Sequence, residues 1–177
     1  MKKRFTLCGL LAALLMAGCS NVATKSIEAE RARLHREPLG MSAKGHPDAS
    51  IDATGSVKIG SRTLALTAVQ RNAARLYRGA VIDLTDLALD EASQSTRHIV
   101  VRALFAAATG REETMEKKID DEMEAMTHSP AFCSRLGDVR QRQEHLVRAV
   151  EPLEPYAQLS QQDVESCIAG RPYETHL

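Results

Sequence analysis

The chain has 177 residues, in which 23 Lys and Arg balance 23 Asp and Glu, with no Trp, three Phe and three Tyr. A chain without an excess of cations has no electrostatic basis for gripping phosphate backbones, which sets nucleic acid aside as a partner on charge grounds. With 44% hydrophobic residues it can bury one core, which must be built mainly from Leu, Val, Ile, Met and Ala.

Lys2, Lys3 and Arg4 precede a nearly unbroken apolar run from Phe5 to Met16, followed by small residues. This is the three-part pattern of a secretory signal, and its apolar run of about 12 residues falls short of the roughly 20 that a spanning helix needs. Leu15-Met16-Ala17-Gly18-Cys19 resembles the lipobox of bacterial lipoproteins, although Met16 stands where leucine is more usual. The resemblance implies that residues 1–18 are a lipoprotein signal peptide and that Cys19 is the lipidated mature N-terminus. It also implies two or three acyl chains, which hold a protein at a bilayer stably where one alone would not. Ser20 is not the Asp of an inner-membrane retention signal, so the expected address is the periplasmic face of the outer membrane. An ordinary secretory signal or a short N-terminal anchor is the alternative. Removing the leader leaves 20 basic against 23 acidic residues, a net charge of −3.

Residues 19–49 read as a flexible tether, with a turn or two of helix near Ile27 to His35 and breakers at Pro38, Gly40, Gly45 and Pro47. Arg31, Arg33 and Arg36 with His35 could touch anionic headgroups. The competing reading is a solvated stretch interleaved with Glu28, Glu30 and Glu37.

The domain is expected over 50–170. Val57 and Ile59, then Leu64 and Leu66, alternate with polar or small residues around Gly60-Ser61, which predicts a hairpin with a type II′ turn. Ile51 and Ala53 could add a third strand. Thr67-Ala68-Val69-Gln70 is a capping box, and Val69, Ala73, Leu76, Ala80, Leu84 and Leu87 then mark one face of a helix running to about Glu91. Arg71, Arg75 and Arg78 come early in that helix and Asp83, Asp86 and Asp90 late, against the macrodipole, so neighbouring segments are expected to pair with these ends. The aspartates could be a cation site, but a solvated helix face is the commoner meaning of this spacing.

Ile59-Gly60-Ser61-Arg62-Thr63-Leu64-Ala65-Leu66-Thr67, Gln70-Arg71 and Leu76-Tyr77-Arg78 resemble the YggN-like proteobacterial envelope proteins. Phe132-Cys133-Ser134-Arg135-Leu136 and Leu153-Glu154-Pro155-Tyr156 extend the likeness in the same order. The region before the hairpin is shorter here, and the lipobox departs from the family's pattern. The resemblance implies an envelope location and a hairpin-plus-helices fold, with no activity to transfer. Tyr77 and Arg78, residue types enriched among interface anchors, are the candidate interface within it.

From Arg97 to Thr109 apolar residues cover nearly every side, which predicts a separate, central buried helix, with His98 at its boundary and Gly110 as its stop. Arg111 to Thr127 predicts a helix with Met115, Ile119, Met123 and Met126 on one side, a stripe that is either core or an adaptable groove. Ser129-Pro130 caps a helix carrying Phe132, Leu136, Val139, Gln143, Leu146 and Val150, ended by Pro152 and Pro155. Ser160 to Asp163 opens a last short helix closed by Gly170, and residues 171–177 read as a frayed tail.

Once Cys8 leaves with the signal and Cys19 carries lipid, Cys133 and Cys167 remain, and in an oxidising periplasm a disulfide is favoured over free thiols or a zinc site. The expected fold is thus mostly α, a short hairpin on a bundle of four to five helices in a single domain. No linear catalytic, metal or nucleotide motif is present, so no cofactor or enzyme activity is expected. The leading expectation is a non-catalytic interaction module that meets membrane lipid through its anchor and an envelope protein through its surface. The alternatives are a small apolar ligand held between helices near Phe105, Met115, Ile119 and Met123, or, less favoured, an envelope enzyme.

Overall fold

Asp52 shapes the first tight feature of the chain: its carboxylate Oδ1 accepts from the Thr54 and Ser56 amides at 2.8 and 2.9 Å and from the Thr54 hydroxyl at 2.7 Å. Those donors hold the Asp52 carboxyl below its ordinary pKa, the Thr54 hydroxyl having the largest effect. The turn joins two strands of a four-stranded antiparallel meander, β1 Leu39–Met41, β2 Ala49–Ile51, β3 Val57–Ile59 and β4 Arg62–Thr63. The computed structural model describes residues 25, 27–109 and 127–171, with the side chains of 92–109 outside that description. Over these residues the chain is mostly α-helical with one small sheet.

The β3–β4 hairpin forms as its alternation predicts, with Gly60 at φ +56° in the first loop position. The sheet is larger than that hairpin. Leu39 stands opposite Ile51 and Ile51 opposite Val57, which puts three apolar side chains on one face, and Ile51 and Val57 are fully buried there. The tether expected over 19–49 is therefore part of the fold from residue 27 onward. Residues 27–36 form a helix, α1, and 39–51 form two strands, because hydrogen bonding to later segments outweighs the local breakers. Gly40 lies within β1, and Gly45 takes φ +79° in the turn between β1 and β2.

Helix α2 runs from Ala68 to Thr109. Its 42 residues span about 63 Å at 1.5 Å per residue. The break expected between Glu91 and Arg97 is absent, since Ala92-Ser93-Gln94-Ser95-Thr96 holds neither Gly nor Pro and so nothing that stops a helix. Whether 97–109 is buried, as expected, concerns side chains outside the description, and the Met-bearing helix over 111–127 lies outside it except for Thr127.

Helix α3, Pro130–Ala149, starts as predicted with the Ser129 hydroxyl accepting from Phe132 N–H at 3.2 Å. A six-residue 3₁₀ turn, Glu151–Tyr156, leads to α4, Gln161–Ile168, whose Ser160–Asp163 capping box closes with bonds of 2.7 and 3.2 Å. The main core joins the sheet to the first half of α2, the second half of α3 and the 3₁₀ turn through Ala74, Tyr77, Leu146, Val150 and Leu153. A smaller cluster of Cys133, Leu136, Val164 and Cys167 binds α4 to the start of α3.

Gln143, the polar interruption in the α3 seam, is buried and bidentate. Its Nε2 donates to the Leu159 carbonyl at 2.7 Å and its Oε1 accepts from the Leu159 amide at 3.2 Å. It satisfies backbone groups that the loop before α4 would otherwise bury unpaired.

Candidate functional site

At Arg78, Asp86 and Asp90 the charge inversion along α2 finds its explanation in α1, whereas Arg71 and Arg75 bond locally to the Leu66 carbonyl and Asn72. Arg31 pairs with Asp86 at 3.3 Å and with Asp90, and His35 Nε2 lies 2.8 Å from Asp86 Oδ2. The hydrogen bond that Arg31 donates to the Asp90 carboxylate is the main cause that raises the Arg31 pKa above its ordinary value. Of the 31–36 cluster, Arg31, His35 and Arg33 are thus engaged with protein carboxylates, Arg33 pairing with Glu30 and Glu37, while Arg36 donates to the Ala32 carbonyl. Among the described residues no group of three or more His, Cys, Asp and Glu side chains is arranged to hold a metal ion.

Arg78, on the same helix, is only 7% exposed. Its Nη2 donates to the carbonyls of Leu34, His35 and Glu37 at 3.1, 3.0 and 2.9 Å. These carbonyls belong to the end of α1, where a helix leaves acceptors without internal partners and where a cation is favoured by the dipole. Tyr77 is 9% exposed, and burial raises the pKa of its phenol. The pair expected as interface anchors therefore lies inside the fold: Arg78 caps α1 and Tyr77 fills the core beside it. The sequence could not show this because the carbonyls that Arg78 serves lie more than 40 positions upstream.

Arg78→Met, which keeps most of the stem and removes the donors, is expected to destabilise the chain by about 1.5 to 3 kcal/mol, the range for hydrogen bonds to a charged group. Arg78→Lys should recover only part, since an ammonium cannot reproduce the guanidinium fork. Urea unfolding checks the magnitude, and amide exchange should accelerate first in 27–36.

The sulfurs of Cys133 and Cys167 stand 2.00 Å apart, at disulfide distance, 34 positions apart in sequence. The pair locks α4 onto α3 within the smaller core cluster.

A second feature lies elsewhere, beside the start of α2. It is a groove of about 600 Å³ between the extended segment Arg62–Leu66 and the turn from Arg148 to Pro152, with Gln70 at its base. Gln70 connects the walls: its Oε1 accepts from Thr67 N–H at 2.9 Å, completing the predicted capping box, while its Nε2 donates to the Ala149 carbonyl at 2.7 Å. Val69, whose place on the α2 face predicted burial, is 72% exposed. It lies in the first turn, before Ala73 and Ala74 meet the sheet.

The apolar-ligand site expected near Phe105, Met115, Ile119 and Met123 lies outside the described side chains, as does His98. No described helix is long and apolar enough to cross a membrane. Comparison of the chain with protein-family models, curated proteins and solved structures gives no match.

Proposed function

We propose that this chain is a lipoprotein of the outer membrane, held at the periplasmic face by acyl chains on Cys19, and that it docks another envelope protein rather than catalysing a reaction. The likeness to YggN-like envelope proteins and the bundle of four to five helices under the sheet belong to the same proposal. The observation that carries it is the lipobox-like run Leu15 to Cys19, followed within eight residues by the start of α1.

The seating of α1 gives this reading a direction. Arg31 meets Asp86 and Asp90 while the carbonyls of 34–37 meet Arg78, so α1 runs antiparallel to α2 and its start lies at the Asp90 level or beyond. Residues 19 to 27 can span at most about 30 Å even when fully extended. Gln70 lies 20 residues before Asp90 on one continuous helix, or about 30 Å along its axis. The groove beside Gln70 therefore lies about 30 Å along α2 from the level at which the anchoring segment enters the domain. Confinement by a tether raises effective concentration, so that a weak interface becomes sufficient.

Cys19→Ala tests the anchor. The variant should keep its signal uncut or appear as soluble material on membrane fractionation, and unchanged sedimentation with outer membranes would sink the lipid reading.

A further inference from the structure

The groove beside Gln70 has one wall made of strand backbone rather than side chains. β4 is the last strand of the meander, paired with β3 on one side only. Beyond it the chain runs through Leu64 to Leu66, outside any strand, to the cap of α2. Leu64 N–H donates inward to the Val57 carbonyl at 2.9 Å. In an antiparallel ladder the groups of alternate residues point to opposite sides, so the N–H and C=O of Thr63 and Ala65 turn outward, into the groove. The Ala65 amide and carbonyl have no partner among the described residues. Unpaired edges of this kind are usually blunted by charge, proline or a covering element, because they accept another strand.

The charge of the site selects among strands. Arg62 is exposed at one end of the segment, and Arg71 donates to the Leu66 carbonyl at 2.7 Å at the other. Arg148 stands on the facing wall, shared with Glu144, and Glu151 is the acid lining the groove. Arg62, Arg71 and Arg148 thus lie around the edge against two carboxylates, Glu151 on the opposite wall and Glu144 paired to Arg148, which leaves the guanidinium groups in excess by one.

We infer that the outer edge of 62–66 takes an extended, acidic peptide segment of a partner protein as a fifth strand. Main-chain bonds to Thr63 and Ala65 would hold the strand, and its carboxylates would meet Arg62, Arg71 and Arg148. The inference rests on the docking reading and names its surface and ligand class.

Selection of displayed random dodecapeptides against the full chain in detergent micelles tests it. Enriched peptides should be acidic with alternating apolar residues, and should slow amide exchange at Thr63 and Ala65. Ala65→Pro removes the outward N–H while keeping an extended backbone, and should weaken binding about tenfold with no loss of thermal stability, as expected for one or two main-chain bonds. Arg62→Glu combined with Arg148→Glu should abolish selection of acidic sequences. Peptides that protect other residues, or bind equally well to these variants, overturn the groove while leaving docking in place. Failure to enrich any peptide above the Ala65→Pro chain overturns the strand-addition proposal itself, and the anchor is judged separately by the fractionation of Cys19→Ala.

Discussion

Gly55→Ala is expected to destabilise the domain by about 3 kcal/mol or more, although the change adds a single methyl group. Gly55 closes the Asp52 turn with φ +80°, a conformation that costs any L side chain. A Cβ there would stand 2.0 Å from the Arg71 carbonyl oxygen and 2.9 Å from its carbon, so the turn and the first part of α2 could not keep their approach. Separating them would open the contact of Ile51 and Val57 with Ala73 and Ala74, where the main core is closed. Gly40→Ala is the control, since nothing lies within 4 Å of a Cβ there. Thermal or urea unfolding of both variants should show a large loss for the first and a change within about 0.5 kcal/mol for the second. Equal effects would mean that the close approach of turn and helix contributes little.

Loss of the Cys133–Cys167 bridge is expected to cost a comparable amount by a different route. A crosslink across 34 positions limits the unfolded chain, and the loop-entropy relation gives about 3.8 kcal/mol at 25 °C. The bridged cluster is small, with Leu136 and Val164 as its other buried members, so α4 has little apolar area to hold it once the bond is gone. Cys133→Ala combined with Cys167→Ala should lower the urea midpoint, and amide exchange should rise first in 161–168. Oxidised protein should show no alkylatable thiol at either position by intact mass. Two modified thiols before reduction would place the pair in the dithiol form in solution.

The helix starts were legible in sequence because capping is local. Thr67 with Gln70, Ser129 with Pro130 and Ser160 with Asp163 all act within four residues, and each opens a helix where it was expected. The Gly60 hairpin and the cysteine pair were legible for related reasons: a two-residue turn has few solutions, and Cys133 and Cys167 are the two cysteines that the expected signal and lipid leave unassigned. The end of α2 was misplaced because the apolar face read from Val69 to Leu87 does not extend past Glu91, while the backbone meets no Gly or Pro between Glu91 and Arg97 and continues as helix.

The tether, the interface pair and the groove depended on contacts between distant positions. Nothing near Arg31 or Arg78 announces that one will meet Asp86 and Asp90 and the other the carbonyls ending α1. Once both do, 27–51 joins the domain and Arg78 leaves the surface. The Gln70 side chain illustrates both levels, since its oxygen serves the local cap that the sequence predicts and its nitrogen reaches Ala149, 79 positions away. Local hydrogen bonding and periodicity, readable over a few residues, determined where helices and the hairpin begin. Only the packed chain decided which charges are paired and which strand edge stays open, because those depend on partners that folding brings together from opposite ends of the sequence.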